Sequence, residues 1–488
     1  MRDSLKLKTC RVLLALSLAA IVPAGSLQAA FHGFVNKGLV GVGRIPADRF
    51  DRSGNGRQDT LGGLFSAMAF DASSLQITEQ ADGSRSFSGT LYSLPDRGFG
   101  DGARDFHPRI QTFRIQITPY YGRSAVPKNQ IQLEHVATQL LSSEHGFYTG
   151  FDAGDAREER FPRSTSSGRG RGLDSLDPEG LARMPDGSFY VSDEYGPFVY
   201  HFDSHGRLTE TLMPPPAFLP KEGAYPGHNH FTATNAPASG RRHNRGFEGL
   251  CVTPDGTRLL ALLQSPLMQD GGDHNGSRNT RMVAWDIQPN SPARGKVVAE
   301  FIYQLTLNGD PSRRWQTPVN EVLGLGPSTF MVLERDSYGL GSFTNTPPAY
   351  KRVVLVSTSD ATNLAGSAYD LERGAPGQLS MPVARAPKGV RPVKRKDFVN
   401  LIEPADLARF GINLSAKQDR NTLSEKWEGM TLVPMRDPKA PHDWLLLVGN
   451  DNDFKAPVVY HGGEAVGTNR VVVDNMIFAF RVTLPPQR

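Results

Sequence analysis

Glutamate recurs at matching places in four segments of this chain. Each segment opens on Glu, runs through an apolar stretch to a turn, and continues through a second apolar stretch that ends on acidic or amide residues. The opening residues are Glu179, Glu248, Glu321 and Glu428. If these carboxylates are brought together, their oxygens would form a ligand set that suits a hard cation such as Ca²⁺.

The turn in each segment predicts which residues face each other, because residues equally distant from a tight turn are paired across a hairpin. The turn at residues 185–188, Pro-Asp-Gly-Ser, pairs Glu179 with Glu194. The turn around residues 327–328 pairs Glu321 with Glu334 in the same way. Like charges that are directly opposed repel each other. Such pairs therefore need a cation, an arginine or a shared proton between them, unless they splay into water.

The other two segments extend the predicted ligand set. Glu248 faces Leu263, with Gln264 one step beyond, and Glu428 lies approximately opposite Asn450 or Asp451. The predicted metal ligands are Glu179, Glu194, Glu248, Glu321, Glu334 and Glu428, with Asp451 as a further candidate. Ca²⁺ is the expected ion, although another divalent cation would also suit carboxylate oxygens.

Arginines and one aspartate accompany these acids. Arg97 follows Asp96 in Leu-Pro-Asp-Arg-Gly, Arg245 precedes Glu248, and Arg335 follows Glu334. Carboxylates, a cation and arginine together can grip and polarise a phosphoryl group. In this hypothesis the three arginines hold substrate oxygens and Asp96 is the general base that takes a proton from water. The alternative is that the arginines only neutralise neighbouring glutamates in structural pairs.

The elements that must position these residues are short strands. The intervening residues are apolar, β-branched and aromatic, and Pro-Asp-Gly supplies turns, so the fold class is all-β. Repetition of small antiparallel units predicts a β-propeller with its innermost strands around a central channel. The glutamates are 69, 73 and 107 residues apart. These spacings predict five or six blades, with six preferred, and long loop insertions at 142–176, 214–244 and 375–398.

The N-terminal residues and the overall composition indicate where the protein acts and which partners it binds. Residues 1–29 combine a basic start, an apolar stretch and small residues, which is typical of a secretory signal peptide. We expect an N-terminal segment at 30–60, a propeller domain at 61–485, and a periplasmic or secreted protein. Residues 1–29 carry three of the four net positive charges, so the remaining chain is nearly neutral and does not indicate a nucleic-acid partner. No later segment reaches membrane-spanning length, and we expect a monomer.

Five motifs resemble a known family. They are LYSLPDRGFG, DPEGLARMPDGSFYVSDEYG, FEGLCVTPDG, NEVLGLG and KWEGMTLVP, and they resemble the bacterial phytase-like family, "esterase-like activity of phytase", over roughly residues 60–480. Gln264 and Gly63 stand where acidic residues are expected, so the implied metal ring is incomplete.

The resemblance implies an exported propeller that hydrolyses small-molecule phosphoesters or esters. The residues themselves leave two other functions open. One is a lactonase or carboxylesterase with a metal-centred propeller site, and the other is a non-catalytic propeller that binds a protein or glycan. A serine nucleophile is not indicated, because the sequence has no Gly-x-Ser-x-Gly motif.

Overall fold

The computed structural model describes residues 30–52, 59–81, 83–126, 129–154, 159–165, 172–223, 227–272, 276–308, 315–344 and 346–486. The predicted signal peptide, 1–29, lies outside these residues. No helix within the described ranges is both long enough and apolar enough to cross a membrane.

The described residues are mostly strands. In chain order these are β1 (Val35–Ile45), β2 (Ala67–Glu79), β3 (Arg85–Leu94), β4 (Arg109–Ile117), β5 (Ile131–Leu140), β6 (Ser142–Ser143), β7 (Gly146–Phe147), β8 (Pro178–Arg183), β9 (Phe189–Asp193), β10 (Val199–Phe202), β11 (Leu208–Leu212), β12 (Phe247–Val252), β13 (Arg258–Leu263), β14 (Asn279–Asp286), β15 (Val297–Gln304), β16 (Leu307–Asn308), β17 (Trp315–Gln316), β18 (Val319–Gly324), β19 (Thr329–Arg335), β20 (Lys351–Ser357), β21 (Lys394–Asn400), β22 (Trp427–Pro434), β23 (Asp443–Asn450), β24 (Val458–His461), β25 (Glu464–Thr468) and β26 (Asn475–Thr483). The helical elements with bounds inside the described ranges are a short α-helix, α1 (Pro404–Arg409), and two 3₁₀ turns (Pro216–Phe218 and Met268–Asp270).

The strands form five four-stranded antiparallel blades. In the order from the inner to the outer strand, the blades are β2-β3-β4-β5, β8-β9-β10-β11, β12-β13-β14-β15, β18-β19-β20-β21 and β22-β23-β26-β1. Each inner strand contacts the inner strand of the next blade, and β22 contacts β2, so the ring is closed. The prediction of an all-β propeller is therefore confirmed.

The blade number is five and not the preferred six. The 107 residues from Glu321 to Glu428 and the 116 residues from Gly63 to Glu179 would each be long enough for two blades, but each interval contains a single blade with insertions. The interval from Glu321 to Glu428 holds β18 to β21, a loop and α1, and the interval before Glu179 holds β2 to β5 and the small hairpin β6–β7. The long spacings between the glutamates therefore come from long loops and not from the strands of an additional blade.

The N-terminal strand closes the ring. β1 pairs antiparallel with β26, from Val35 opposite Thr483 to Ile45 opposite Asn475, and so supplies the outer strand of the fifth blade. One parallel bridge, between Gly43 and Ile131, also joins β1 to the first blade. β1, which lies within the predicted N-terminal segment 30–60, is therefore part of the fifth blade.

Apolar residues fill the spaces between consecutive blades. Trp427 and Phe478, for example, pack with ring centroids 4.1 Å apart in the cluster that joins the fourth and fifth blades. Strand β19 is buried along its whole length, as expected for a strand covered on both faces. Because both sides of each blade are packed, the inner strands are held rigidly around the channel.

Candidate functional site

A repeated backbone irregularity positions the acidic residues. In four of the five inner strands, one extra residue is inserted into the pairing with the second strand of the blade. The insertions lie between Pro178 and Leu181, Phe247 and Gly249, Val319 and Glu321, and Trp427 and Gly429. A β-bulge of this kind bends the strand and turns a side chain in a new direction.

The bulges define one ring of side chains at the channel mouth, which we call the inner ring. It consists of the residues that precede Gly180, Gly249, Glu321 and Gly429 in the four bulged strands, together with Ser66, which directly precedes β2. Its members are Ser66, Glu179, Glu248, Asn320 and Glu428. The first blade thus presents Ser66 at this level, and not Gly63. A side chain at Gly63 would lie 2.7 Å from the Phe454 ring.

The second strand of each blade supplies a neighbouring ring, the outer ring. Its members lie two residues beyond the partner of the first paired position after the inner-ring residue, or three residues beyond it in the second blade, where pairing resumes one position later, at Leu181. They are Asp96, Glu194, Gln264, Arg335 and Asp451. Every member of the two rings is at most 9% exposed. Circular symmetry therefore brings together side chains that are far apart in the sequence.

Three carboxylates form the first cluster, at the second blade. Oxygens of Asp177, Glu179 and Glu194 all lie within 4.8 Å of one another. Asp177 is held by Arg97, whose Nη1 donates to Oδ2 at 2.8 Å and whose backbone N–H donates to Oδ1 at 3.2 Å. Among the described residues, no hydrogen bond or ion pair reaches the Glu179 carboxylate. The cluster thus has an unneutralised oxygen donor at its centre.

Burial and mutual repulsion change the acidity of these groups. Burial, followed by the charges of Glu248 and Asp177, raises the pKa of Glu179 well above its ordinary value. The pKa of Glu194 rises to about 7, first because of burial and then because of Asp177. Each anion lacks enough neighbouring positive charge to offset its lost hydration. A cation placed between them would reverse these shifts.

Glu248 provides an independent sign that a ligand is missing. Its Oε1 accepts a 3.1 Å hydrogen bond from Asn320 Nδ2 and another from Gln264 Nε2. Its Oε2 is buried and has no hydrogen-bond partner among the described residues. Burial and the nearby Glu194 raise the pKa of Glu248 well above its ordinary value. A buried polar atom without a partner calls for an explanation such as an ion or an ordered water.

A second cluster lies at the junction of the first and fifth blades. Oxygens of Asp96, Asp451 and Asp453 lie within 4.8 Å of one another. The ammonium of Lys426 contacts all three, at 3.6 Å, 2.5 Å and 3.0 Å respectively. It also lies 3.7 Å from Glu428. In the first cluster the Arg97 guanidinium pairs with Asp177 alone, whereas here one ammonium contacts all three carboxylates.

The Asp453 backbone at this cluster is unusual. Asp453 and the following Phe454 have φ angles of 53° and 51°, which side chains other than glycine rarely adopt. Asp451 Oδ1 accepts the Asp453 N–H at 2.6 Å, and the Asn452 side chain accepts the Phe454 N–H at 3.2 Å. These bonds hold the turn that directs the Asp453 carboxylate to Lys426.

The three predicted arginines all reach the mouth, and each has an acidic or amide partner. Arg97 binds Asp177, Arg335 Nη2 donates to Glu428 Oε1 at 2.6 Å, and Arg245 donates to the Gln264 side-chain oxygen. Arg245 also faces Glu194 closely enough to lower that group's pKa. The arginines therefore neutralise their neighbours, as the structural alternative supposed, while remaining beside the first cluster.

Two predicted ligands lie elsewhere. Glu334 points away from the mouth into the space between the third and fourth blades, where it accepts hydrogen bonds from Tyr303, Tyr350 and Arg395. It is opposite Val319 and not opposite Glu321, because the bulge shifts the pairing by one residue. We therefore remove Glu334 from the ligand set.

Glu321 also fails to join the ring. It occupies the position that is Gly249 in β12 and Gly429 in β22. Its Oε1 accepts the backbone N–H of Leu250 at 3.1 Å and that of Val322 at 2.9 Å. Burial raises its pKa well above the ordinary value. Glu321 thus bridges neighbouring inner strands below the mouth, and its equivalent in the ring is Asn320.

Sequence analysis did not identify several of the side chains that lie at the channel mouth. Asp177 and Lys426 each lie two residues before the inner-ring glutamate of their blade, in Asp-Pro-Glu-Gly and Lys-Trp-Glu-Gly. Aligning the repeats on Glu-Gly would have shown that this position carries charged groups of opposite sign. No sequence pattern indicated that Asp453 belongs to the site, since the direction of its side chain depends on the turn after β23.

Comparison with known proteins identifies the family of this chain. A model of the phytase-like family, described as the esterase-like activity of phytase, matches residues 61–454. The chain belongs to the phytase-like family. A phytase-like relative, an uncharacterised secreted protein of the fungus Arthroderma benhamiae, is 30% identical over 466 residues, covering 87% of this chain and 88% of the relative. The family resemblance is confirmed, but its restriction to bacteria is not supported.

Solved structures resemble this phytase-like chain only weakly. The Malassezia sympodialis allergen Mala s 1 aligns with a TM-score of 0.31 and 9% identity, covering 85% of this chain and 92% of the allergen. The PQQ-bound aldose sugar dehydrogenase of Streptomyces coelicolor aligns with a TM-score of 0.26 and 10% identity, covering 92% of this chain and all of that chain. Similarity at this level carries no argument about function.

Proposed function

We propose that this chain is an exported phosphoester hydrolase that works with a divalent cation held by Asp177, Glu179 and Glu194. The observation that carries the proposal is the first cluster itself. Three buried carboxylates converge within 4.8 Å, and Glu179 has no neutralising partner among the described residues. Family membership supports a hydrolase of the phytase-like type.

Ca²⁺ is the ion that best fits this donor set. It prefers carboxylate and other oxygen ligands at 2.3–2.6 Å and tolerates irregular geometry. Three oxygens 4.8 Å apart lie about 2.8 Å from their common centre, so small inward movements of these side chains would bring all three within this range of a bound ion. Glu248 extends the set, because its Oε2 is unpaired, its charge raises the pKa of Glu179, and its own pKa is raised by Glu194.

The surrounding residues suit an anionic substrate. Arg97, Arg245 and Lys426 lie next to the acidic clusters, and guanidinium and ammonium groups bind phosphoryl oxygens. A bound divalent ion would polarise the phosphoryl group and lower the pKa of a bound water. Asp96 remains the proposed base. Burial and Asp451 raise its pKa, which increases its affinity for the proton of an attacking water.

Hydrolysis of a carboxylester or lactone is the second candidate. The specific observation in its favour is the family description, which names an esterase-like activity. The same cation site would polarise a carbonyl oxygen equally well. In this case the arginines would have no anionic group to bind, so arginine variants would affect a phosphoester more than a neutral ester.

Export is supported by two observations. The relative from Arthroderma benhamiae is a secreted protein, and residues 1–29 have the pattern of a signal peptide. We propose that the chain acts in the periplasm or outside the cell. Ca²⁺ is abundant outside cells, where weak sites can remain filled.

A substrate panel tests the proposal. Chelator-treated mature protein would be assayed with and without Ca²⁺ on nitrophenyl phosphate, bis-nitrophenyl phosphate, phytate, short acyl esters and a lactone. Phosphate release restored by Ca²⁺ is the expected result. Turnover of only the acyl ester or lactone would favour the second candidate. Absence of any turnover, with Ca²⁺ raising only the melting temperature, would favour a non-catalytic binding protein.

A further inference from the structure

The position of Lys426 distinguishes the two acidic clusters at the mouth. Each cluster consists of three carboxylates with oxygens within 4.8 Å of one another. Only the Asp96, Asp451 and Asp453 cluster contains an ammonium group, at 3.6 Å, 2.5 Å and 3.0 Å from the respective oxygens. The three carboxylates thus surround the ammonium of Lys426 in the way that ligands surround a metal ion.

We propose that Lys426 is a permanent cation that occupies the place of a second metal ion, so the mouth takes one divalent ion and not two. This inference rests on the proposed function for the first cluster only. Lys426 follows β21 and α1 and directly precedes β22, so its backbone is held by the packed start of the fifth blade. Its Nζ reaches Glu428 of the inner ring as well, at 3.7 Å.

Carboxylates from separate elements of the fold surround Lys426. Its four carboxylate neighbours come from the first blade (Asp96), from β22 (Glu428) and from the turn after β23 (Asp451 and Asp453). Three of these four side chains are almost completely buried, with 12%, 3% and 0% of the Asp96, Glu428 and Asp451 side chains exposed. Lys455, by contrast, contacts only Asp453, at 2.6 Å. Lys426 is thus the central cation and Lys455 is peripheral.

A fixed ammonium has a different chemical role from a metal ion. A pair of metal ions 3.5–4 Å apart can hold both the attacking and the leaving oxygens of a phosphoester. An ammonium offers charge and hydrogen-bond donors, but it does not activate a bound water as a metal does. In this arrangement the metal at the first cluster acts on the water, and Lys426 positions the anionic oxygens of the substrate.

Ca²⁺ stoichiometry tests the inference. Calorimetric titrations with Ca²⁺ alone would compare the chelator-treated wild type with the Lys426→Gln, Lys426→Arg and Lys455→Gln variants. We expect one ion per chain for the wild type, for Lys426→Arg and for Lys455→Gln. We expect two ions per chain for Lys426→Gln, because the carboxylates of Asp96, Asp451 and Asp453 lose the cation that they share. Tb³⁺ luminescence, with the same four proteins, would count bound ions independently.

Removal of a buried cation could prevent folding without Ca²⁺. The Lys426→Gln variant would in that case be purified in Ca²⁺, dialysed extensively, and its ion content measured by atomic emission. Two retained ions per chain support the inference, and one retained ion overturns it. A wild type that binds no ion, together with a Lys426→Gln variant that binds one, would contradict the proposed metal site but leave the role of Lys426 intact.

Discussion

Arg335 Nη2 donates a 2.6 Å hydrogen bond to Glu428 Oε1, although the residues are 93 positions apart in the sequence. Arg335 ends β19 of the fourth blade, and Glu428 lies in the bulge of β22 in the fifth. Both side chains are more than nine-tenths buried. The pair therefore joins two blades at the mouth and neutralises one glutamate of the inner ring.

Loss of one partner of this ion pair should be costly. Replacing Arg335 with Met leaves Glu428 buried without its arginine, and we expect the free energy of unfolding to fall by about 3–5 kcal/mol. The double variant Arg335→Met, Glu428→Gln should recover most of that loss, since no charge is then left unpaired. Urea denaturation would compare both variants with the wild type. Equal destabilisation of the single and double variants would contradict the coupling.

The ligand assignment distinguishes two glutamates that are both buried, Glu179 and Glu321. Glu179→Gln should weaken Ca²⁺ binding at least tenfold, because an anionic ligand becomes neutral. Glu321→Gln is the matched control. It lies on an inner strand, is 1% exposed, and already accepts backbone N–H groups, so we expect its Ca²⁺ affinity to match the wild type. Isothermal calorimetry makes the comparison, and an effect of Glu321→Gln as large as that of Glu179→Gln would contradict the assignment.

The stability of the metal-free protein should depend on pH through Glu194. Its pKa is about 7 in the folded chain and about 4.5 when unperturbed, so the folded state holds the proton more tightly. The resulting stabilisation is complete below about pH 4.5 and is lost as the pH rises through 7, by up to about 3 kcal/mol. The melting temperature of chelator-treated protein should therefore fall between these pH values.

Two controls accompany the pH series. Saturating Ca²⁺ should remove most of the fall, because the ion stabilises the ionised carboxylates. Glu194→Gln should flatten the metal-free profile over the same range. A melting temperature that rises with pH in the metal-free wild type, and is unchanged by Glu194→Gln, would show that Glu194 does not titrate as described.

The bulges should be sensitive to added side-chain volume. A Cβ at Gly249 would lie 2.6 Å from the Val322 backbone N and 2.8 Å from the Glu321 carbonyl carbon. Gly249→Ala should destabilise the fold by about 1–3 kcal/mol and also weaken Ca²⁺ binding, since Glu248 is the preceding residue. Gly223→Ala, where a Cβ would meet nothing within 4 Å, is the control. Thermal unfolding with and without Ca²⁺ measures both effects.

Local sequence patterns predicted the strands and the gathering of acids, because apolar runs and turn residues act over a few positions. Glu179 and Glu194 do lie together at the mouth. The exact pairing could not be obtained in this way. One inserted residue in each bulge shifts the hairpin register, and a one-residue shift sends Glu334 to the opposite face.

The long-range members of the site were harder to predict. Lys426 is a neighbour of Asp96 only because the ring closes, and the closure involves residues some 330 positions apart. The same closure places β1 in the fifth blade beside the last strand. Blade number likewise depends on how much of each long interval is loop, which residue spacing does not distinguish from strand.

The central claim is that the propeller gathers Asp177, Glu179 and Glu194 into a cation site. The most direct test is a crystal of the mature protein soaked in Tb³⁺, with the ion located by its anomalous scattering. The account predicts a strong peak between these three carboxylates, at about 2.3–2.6 Å from their oxygens. A map with no peak there, or with peaks only on the outer surface, would contradict it.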